Sequence, residues 1–187
     1  MPATGAISYR LMIFRTGALV LSLFLISATP WRQVVNERLP LFGHRNWIVI
    51  ADSAYPLQSG NGIETVISNE SQIETLRHVL FALSRTQHVR PVVYTDNELS
   101  FVPEQDAVGI TAYRQLLSGL LEKQLPGQKI NTIPHEEIIH KLDEAGRTFN
   151  VLIIKTNMTL PYTSVFLQLS AAYWGDEEEQ RLRQAIK

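Results

Sequence analysis

The chain has 187 residues, 45% of them hydrophobic, which suffices to bury one substantial core but not two, so a single domain is expected. Its formal net charge of -1 leaves no positive surplus to draw a phosphate backbone or an anionic bilayer, which argues against a nucleic-acid partner. Cysteine is absent, which excludes disulfides, thiolate metal sites and cysteine nucleophiles while leaving the compartment open.

In chain order, Arg10 and Arg15 precede an almost uninterrupted apolar run at 17–28 that closes with Thr29 and Pro30. A positive start, a modest apolar middle and small residues at the end are the layout of a secretory signal. The run is shorter than a usual membrane-spanning helix, although an uncleaved anchor fits the same pattern. Residues 1–30 are therefore expected to be a signal peptide or membrane anchor, putting the domain in the periplasm, outside the cell or at a membrane. Ile26, three residues before a cut after Ala28, is bulkier than the small residue usual there. The alternative is a hydrophobic N-terminal helix packed on a neighbouring subunit of a cytoplasmic protein. Residues 31–187 then form the domain, with a helical tail from about residue 175.

Beyond Pro30, short β-rich runs alternate with amphipathic helical stretches, as in a layered α/β domain with some parallel strand pairing. The run 47–51 is apolar throughout, as a strand covered on both faces must be, and it ends at polar Asp52 and Ser53. Such strand ends face ligands. A second strand is expected at 63–67. Ser71, with Glu74 three residues on, opens a helix to Ser84 in a capping-box pattern. A strand follows at 88–94, a helix at 110–121 with leucines and Tyr113 at helical spacing, and an extended stretch at 129–133. Pro134 starts a helix at its first position, where the missing N–H costs nothing. Strands at 151–154 and 164–169 and a charged helix at 176–186, packed by Leu182 and Ile186, complete the domain.

Three motifs carry no functional reading. His135 and His140 suggest a zinc-protease helix, but they are five residues apart instead of four. At 100° per residue the second imidazole is rotated by about 140°, so both cannot reach one metal, and no metal site is expected. Gly60-Asn61-Gly62 lacks the third glycine of a dinucleotide fingerprint and precedes a strand, so it reads as a turn. The sequons at Asn69 and Asn157 matter only in a glycosylating host.

The segment Leu39-Pro40-Leu41-Phe42-Gly43-His44, the strand 47–51 and then Asp52-Ser53-Ala54-Tyr55-Pro56 resemble the opening of the RbsD/FucU family of D-ribose pyranases and L-fucose mutarotases. In that family a Gly-His pair precedes the first core strand and an Asp follows eight residues after the His; His44 and Asp52 fit. The resemblance continues through Ile63-Glu64-Thr65-Val66 and Pro134-His135-Glu136 to Lys155-Thr156 and Pro161-Tyr162-Thr163-Ser164, spanning 36–174. It implies an α/β fold: a single three-layer domain with a mixed, mostly parallel β-sheet flanked by helices, here carrying the N-terminal hydrophobic segment and the C-terminal helix.

The implied activity is a cofactor-independent isomerisation that opens a cyclic monosaccharide and lets it close in another anomeric or ring form by general acid/base catalysis. Carried over by position, His44 is the acid/base, Asp52 holds sugar hydroxyls, and His135, Tyr162 and Ser164 supply further polar contacts. His44 and Asp52 are expected to share a solvent-reachable cavity. The implied partner is a second copy of the chain, since family sites lie between subunits of a ring.

From the residues alone, other readings stand beside each of these. His44 fits a structural loop histidine, Asp52 a turn with Ser53, His135 a helix N-terminus, His140 the surface, and Tyr162 a core aromatic. The chain departs from the family pattern at Asn46, where an Asp is common, at Asn157-Met158, where a Gly-Glu pair stands, and at Ser164, where an Asn stands. Asn46 cannot lend negative charge to an imidazole. The alternative function is therefore a non-catalytic carbohydrate-binding or ring-forming structural protein of the same fold.

Overall fold

The computed structural model describes residues 30–186, so the apolar run 17–28 lies outside the described residues. In chain order the elements are α1 (Trp31–Arg38), β1 (Trp47–Ala51), β2 (Ile63–Ile67), α2 (Gln72–Ser84), β3 (Val89–Asp96), α3 (Ile110–Gln124), β4 (Asn131–Ile133), α4 (His135–Thr148), β5 (Val151–Lys155), β6 (Val165–Ala171) and α5 (Asp176–Ala185), with a 3-10 turn at Asn97–Ser100. Helix α1 is absent from the sequence-based expectation. Its Trp31, Val34 and Val35 bury one face, while Arg32 and Trp31 both donate to Glu70, and Arg38 to Glu64. Tertiary contacts, not a long periodic run, make this short helix.

The sheet order is β2-β5-β1-β6-β3-β4. β6 is antiparallel to both β1 and β3, while every other pair is parallel. Five strands therefore run one way, and their C-terminal ends gather at a single edge. β1 lies inside the sheet and alternates its side chains between two cores. Ile48 and Ile50 face α1, α2 and α3 together with Leu152, Ile154 and Leu167. Trp47, Val49 and Ala51 face the other side, against Ile138 and Leu142 of α4. That double coverage is why β1 has no polar residue. The result is three layers, helix on sheet on helix, as expected.

Two boundaries differ. Pro134 is the cap before α4 and not its first residue; its carbonyl accepts from Glu137 and Ile138. β3 runs on past Tyr94 to Asp96, because pairing with β4 and β6 continues there. At α2 half of the capping box forms: Ser71 Oγ accepts from the Glu74 N–H at 3.2 Å, while the Glu74 carboxylate turns to Arg77. Among the described residues no helix is long and apolar enough to cross a membrane.

Candidate functional site

The edge where five strands end is where open α/β sheets present ligand-binding groups. Asp52 stands just beyond β1. Its Oδ1 accepts from the Ala54 N–H at 2.9 Å, its Oδ2 accepts from the Ser164 hydroxyl at 2.9 Å, and its own N–H donates to Ser164 Oγ at 3.2 Å. The local turn thus fixes a half-buried carboxylate that keeps further acceptor capacity. Ser164, expected as a sugar contact, is buried, and its hydroxyl is occupied in holding Asp52.

His135 opens α4. Its backbone N–H donates to both carboxylate oxygens of Glu98 at 3.1 Å, so Glu98 caps the helix and the ring is left for other work. Ring Nδ1 lies 3.1 Å from Asp96 Oδ1. The Tyr162 ring meets the same imidazole edge-on, with centroids 5.5 Å apart and planes at 81°. Tyr162 is not a core aromatic; it is 39% exposed.

Its backbone sits at φ +56°, a left-handed conformation that a bulky residue takes only when its surroundings force it. Those surroundings are a buried polar net. The Thr163 carbonyl accepts from the Tyr113 hydroxyl at 2.6 Å and from Gln72 Nε2 at 2.9 Å. Gln72 also donates to the Ile50 carbonyl at 2.7 Å and accepts from the Thr156 hydroxyl at 2.6 Å. The net ties the loop before β6 to β1, α2, α3 and the residue that follows β5.

Asp52, His135, Tyr162 and Ser164 are therefore brought to one edge. Because β6 lies between β1 and β3, Asp52 and Asp96 are two strand spacings apart, roughly 10 Å. His44 is not among them. It precedes β1 while Asp52 follows it, and extended chain of that length separates them by roughly 20 Å. The cavity that His44 and Asp52 were expected to share does not form within one chain, since a strand stands between the two residues. His44 is exposed instead at the opposite end. It lines one cavity of 390 Å³ with Trp47, Tyr94 and Gln168, and another of 490 Å³ with Tyr173, Trp174 and Glu179. Nearby Asn46 accepts from the Gly43 N–H at 2.7 Å and donates to the Asn150 carbonyl at 3.2 Å, so its amide belongs to the turn. Met158 packs against the larger core.

Asp96 and Glu98 are functional candidates that the sequence pattern did not single out, because the apolar run ends at Tyr94. Asp96 is the last residue of β3, at the edge where Asp52 follows β1, and it comes into view only once β3 is followed to its end. Burial pushes the Asp96 carboxyl above the usual carboxylate range, and the hydrogen bond from His135 opposes that rise. Its Oδ2 is buried with no hydrogen-bond partner among the described residues. Burial likewise pushes the Tyr55 and Tyr113 hydroxyls up, which keeps both neutral. Among the described residues no group of three or more His, Asp or Glu side chains could hold a metal ion. What the edge offers is a fixed carboxylate acceptor, an imidazole backed by a carboxylate, and an aromatic wall. Such a set suits a polyhydroxylated ligand and the movement of a proton.

The model of the RbsD / FucU transport protein family matches residues 33–171. No curated protein matches the chain. Among solved structures, FucU from Bifidobacterium longum is 17% identical with a TM-score of 0.52, the match covering 73% of this chain and 92% of that one. Bacillus subtilis RbsD complexed with D-ribose is 21% identical with a TM-score of 0.49, over 73% of this chain and 91% of that one. The fucose mutarotase from Streptococcus pneumoniae in complex with L-fucose is 21% identical with a TM-score of 0.44, over 74% and 89%. With most of the domain matched by the family's model and a fold shared with the Bifidobacterium longum protein, the chain belongs to the RbsD / FucU family.

Proposed function

We propose that this chain is a cofactor-independent sugar isomerase that interconverts anomers or ring forms of a monosaccharide. Family membership and the names of two relatives, a fucose mutarotase with L-fucose and an RbsD with D-ribose, support a sugar-interconverting role. The observation that carries the reading is the convergence of Asp52, His135 and Tyr162 at the C-terminal edge of the sheet. Asp52 accepts hydrogen bonds from sugar hydroxyls, Tyr162 offers an aromatic face, and an imidazole moves the proton. His44, at the far end of β1, joins such a site only from a second copy of the chain, so the reading includes a homo-oligomer. Export through residues 1–30 is part of the same proposal and rests on the sequence alone.

A specific observation favours the second reading, a carbohydrate-binding domain without catalysis. The Asn46 amide is tied to the backbone at Gly43 and Asn150 and lends His44 no charge. Saturation-transfer NMR on a panel of aldoses, L-fucose and D-ribose included, separates the two. The isomerase reading expects faster anomer exchange of at least one sugar, abolished by His44→Ala. Sugars that bind without exchanging faster establish the second reading.

A further inference from the structure

Of the five histidines in the chain, His135 is the one hydrogen-bonded to a buried carboxylate. His88 bonds the Leu39 and Phe42 carbonyls, His78 packs edge-on against Trp31, and His140 faces Glu144 on the exposed side of α4. His44 sits beside an Asn46 already committed to backbone groups. The Asp96 side chain is 0% exposed and that of His135 34%, so Asp96 lies behind the ring and the ring lies at the edge.

When Asp96 is ionised its carboxylate can only accept, so a neutral His135 ring donates Nδ1–H to it and keeps its acceptor lone pair on Nε2. Nε2 has no hydrogen-bond partner among the described residues. Glu98 holds the backbone N–H and Tyr162 lies against the ring, which fixes both its position and its plane. Asp96 Oδ2 is buried with no hydrogen-bond partner among the described residues, so the one partner its carboxylate has there is the His135 ring. Asp52 is less suited to carrying a proton, because both its oxygens already accept hydrogen bonds from the protein.

The geometry points to Asp96 as the positioning residue that locks His135 in its Nδ1–H form and presents Nε2 to the sugar as a second proton carrier. This role rests on the isomerase reading and deepens it, since ring opening moves two protons. Nε2 takes the proton of the anomeric hydroxyl, and the O–H electron pair becomes the second bond of the C1 carbonyl. The bond from C1 to the ring oxygen breaks with its pair going to that oxygen, which takes a proton from His44 of a neighbouring copy. Closure on the other face of the carbonyl runs both transfers backwards and restores both imidazoles.

The test uses the full chain labelled with 15N-histidine, the His135 resonances being identified by their loss in His135→Gln. Native protein should show His135 as the Nδ1–H tautomer. In Asp96→Asn the amide donates to Nδ1, which moves the proton to Nε2, the wrong tautomer for accepting. The exchange kcat for a sugar that the native protein turns over should fall about 100-fold with KM little changed. His135→Gln, which can bond a hydroxyl but carry no proton, should be as slow.

An Nε2–H tautomer in the native protein, an unchanged kcat in Asp96→Asn, or full rate in His135→Gln would each overturn the assignment. If Asp96→Asn fails to fold, the native tautomer and the His135→Gln rate still decide. Native protein that exchanges no sugar overturns the isomerase reading and the proton transfer with it, whereas native exchange with an indifferent Asp96→Asn overturns the Asp96 role alone.

Discussion

At the scale of single residues, the site is held by groups whose local preferences are overridden. Tyr162 occupies a left-handed backbone at φ +56°, which costs a non-glycine residue about 1 kcal/mol or more. Tyr162→Gly removes that strain and also removes the ring beside His135. The expected result is an unchanged or higher melting temperature together with a marked loss of sugar affinity; a lower melting temperature with affinity kept would contradict it. Asp96 gives a pH signature. Its folded carboxyl lies above the ordinary range because it is buried, so the folded state binds the proton more tightly than the unfolded chain. The contribution to stability is fully present below about pH 4 and is lost as pH rises through the folded value. Chemical denaturation of native and Asp96→Asn protein across this range should show the native protein losing stability relative to the variant as pH rises. A difference that does not vary with pH would refute the shift.

At the scale of elements, α4 is positioned by close backbone approach as well as by its apolar face. A Cβ at Gly62 would come within 2.5 Å of the Phe149 carbonyl oxygen and 2.7 Å of the Gly146 oxygen. Both are backbone atoms at the end of α4 and cannot swing aside. A Cβ at Gly146 would meet only the Ile63 side chain, at 2.9 Å, and Ala gains about 1 kcal/mol over Gly in a helix. Gly62→Ala is therefore expected to destabilise by about 2 kcal/mol or more, in the range of overpacking, and Gly146→Ala by clearly less. Urea denaturation of the two variants checks the order. The Gly60-Asn61-Gly62 sequence thus has a packing reason: it lets the turn before β2 lie against α4, whose first residue is His135.

At the scale of the whole molecule, β1 keeps His44 and Asp52 at opposite ends, so joining them requires assembly. If a neighbouring copy supplies His44, two variants that are each inactive should complement one another. Unfolding His44→Ala and Asp52→Ala together and refolding them as a mixture should restore exchange at about one site in four, because random association pairs the intact end of each copy. Separately refolded variants should stay inactive. No recovery on mixing, with both variants folded and assembled, would remove His44 from the site.

The sequence by itself was enough for the layered α/β class, because the apolar run 47–51 and the periodic helices at 72–84 and 110–121 are local patterns that burial imposes on any such sheet. It also marked Asp52, His135 and Tyr162 as candidates, through a family resemblance that the match over residues 33–171 bears out. Helix α1 was not legible, because eight residues give too short a period and its stability comes from Glu70 and Glu64 far along the chain. Asp96 was not legible either, because the end of β3 is set by hydrogen bonding to β4 and β6, which no local pattern encodes. The separation of His44 from Asp52, the occupation of Ser164 by Asp52 and the pairing of Asp96 with His135 all follow from which strands lie side by side. Strand order is a property of the folded chain, and residues 39 positions apart meet at 3.1 Å only after it is set.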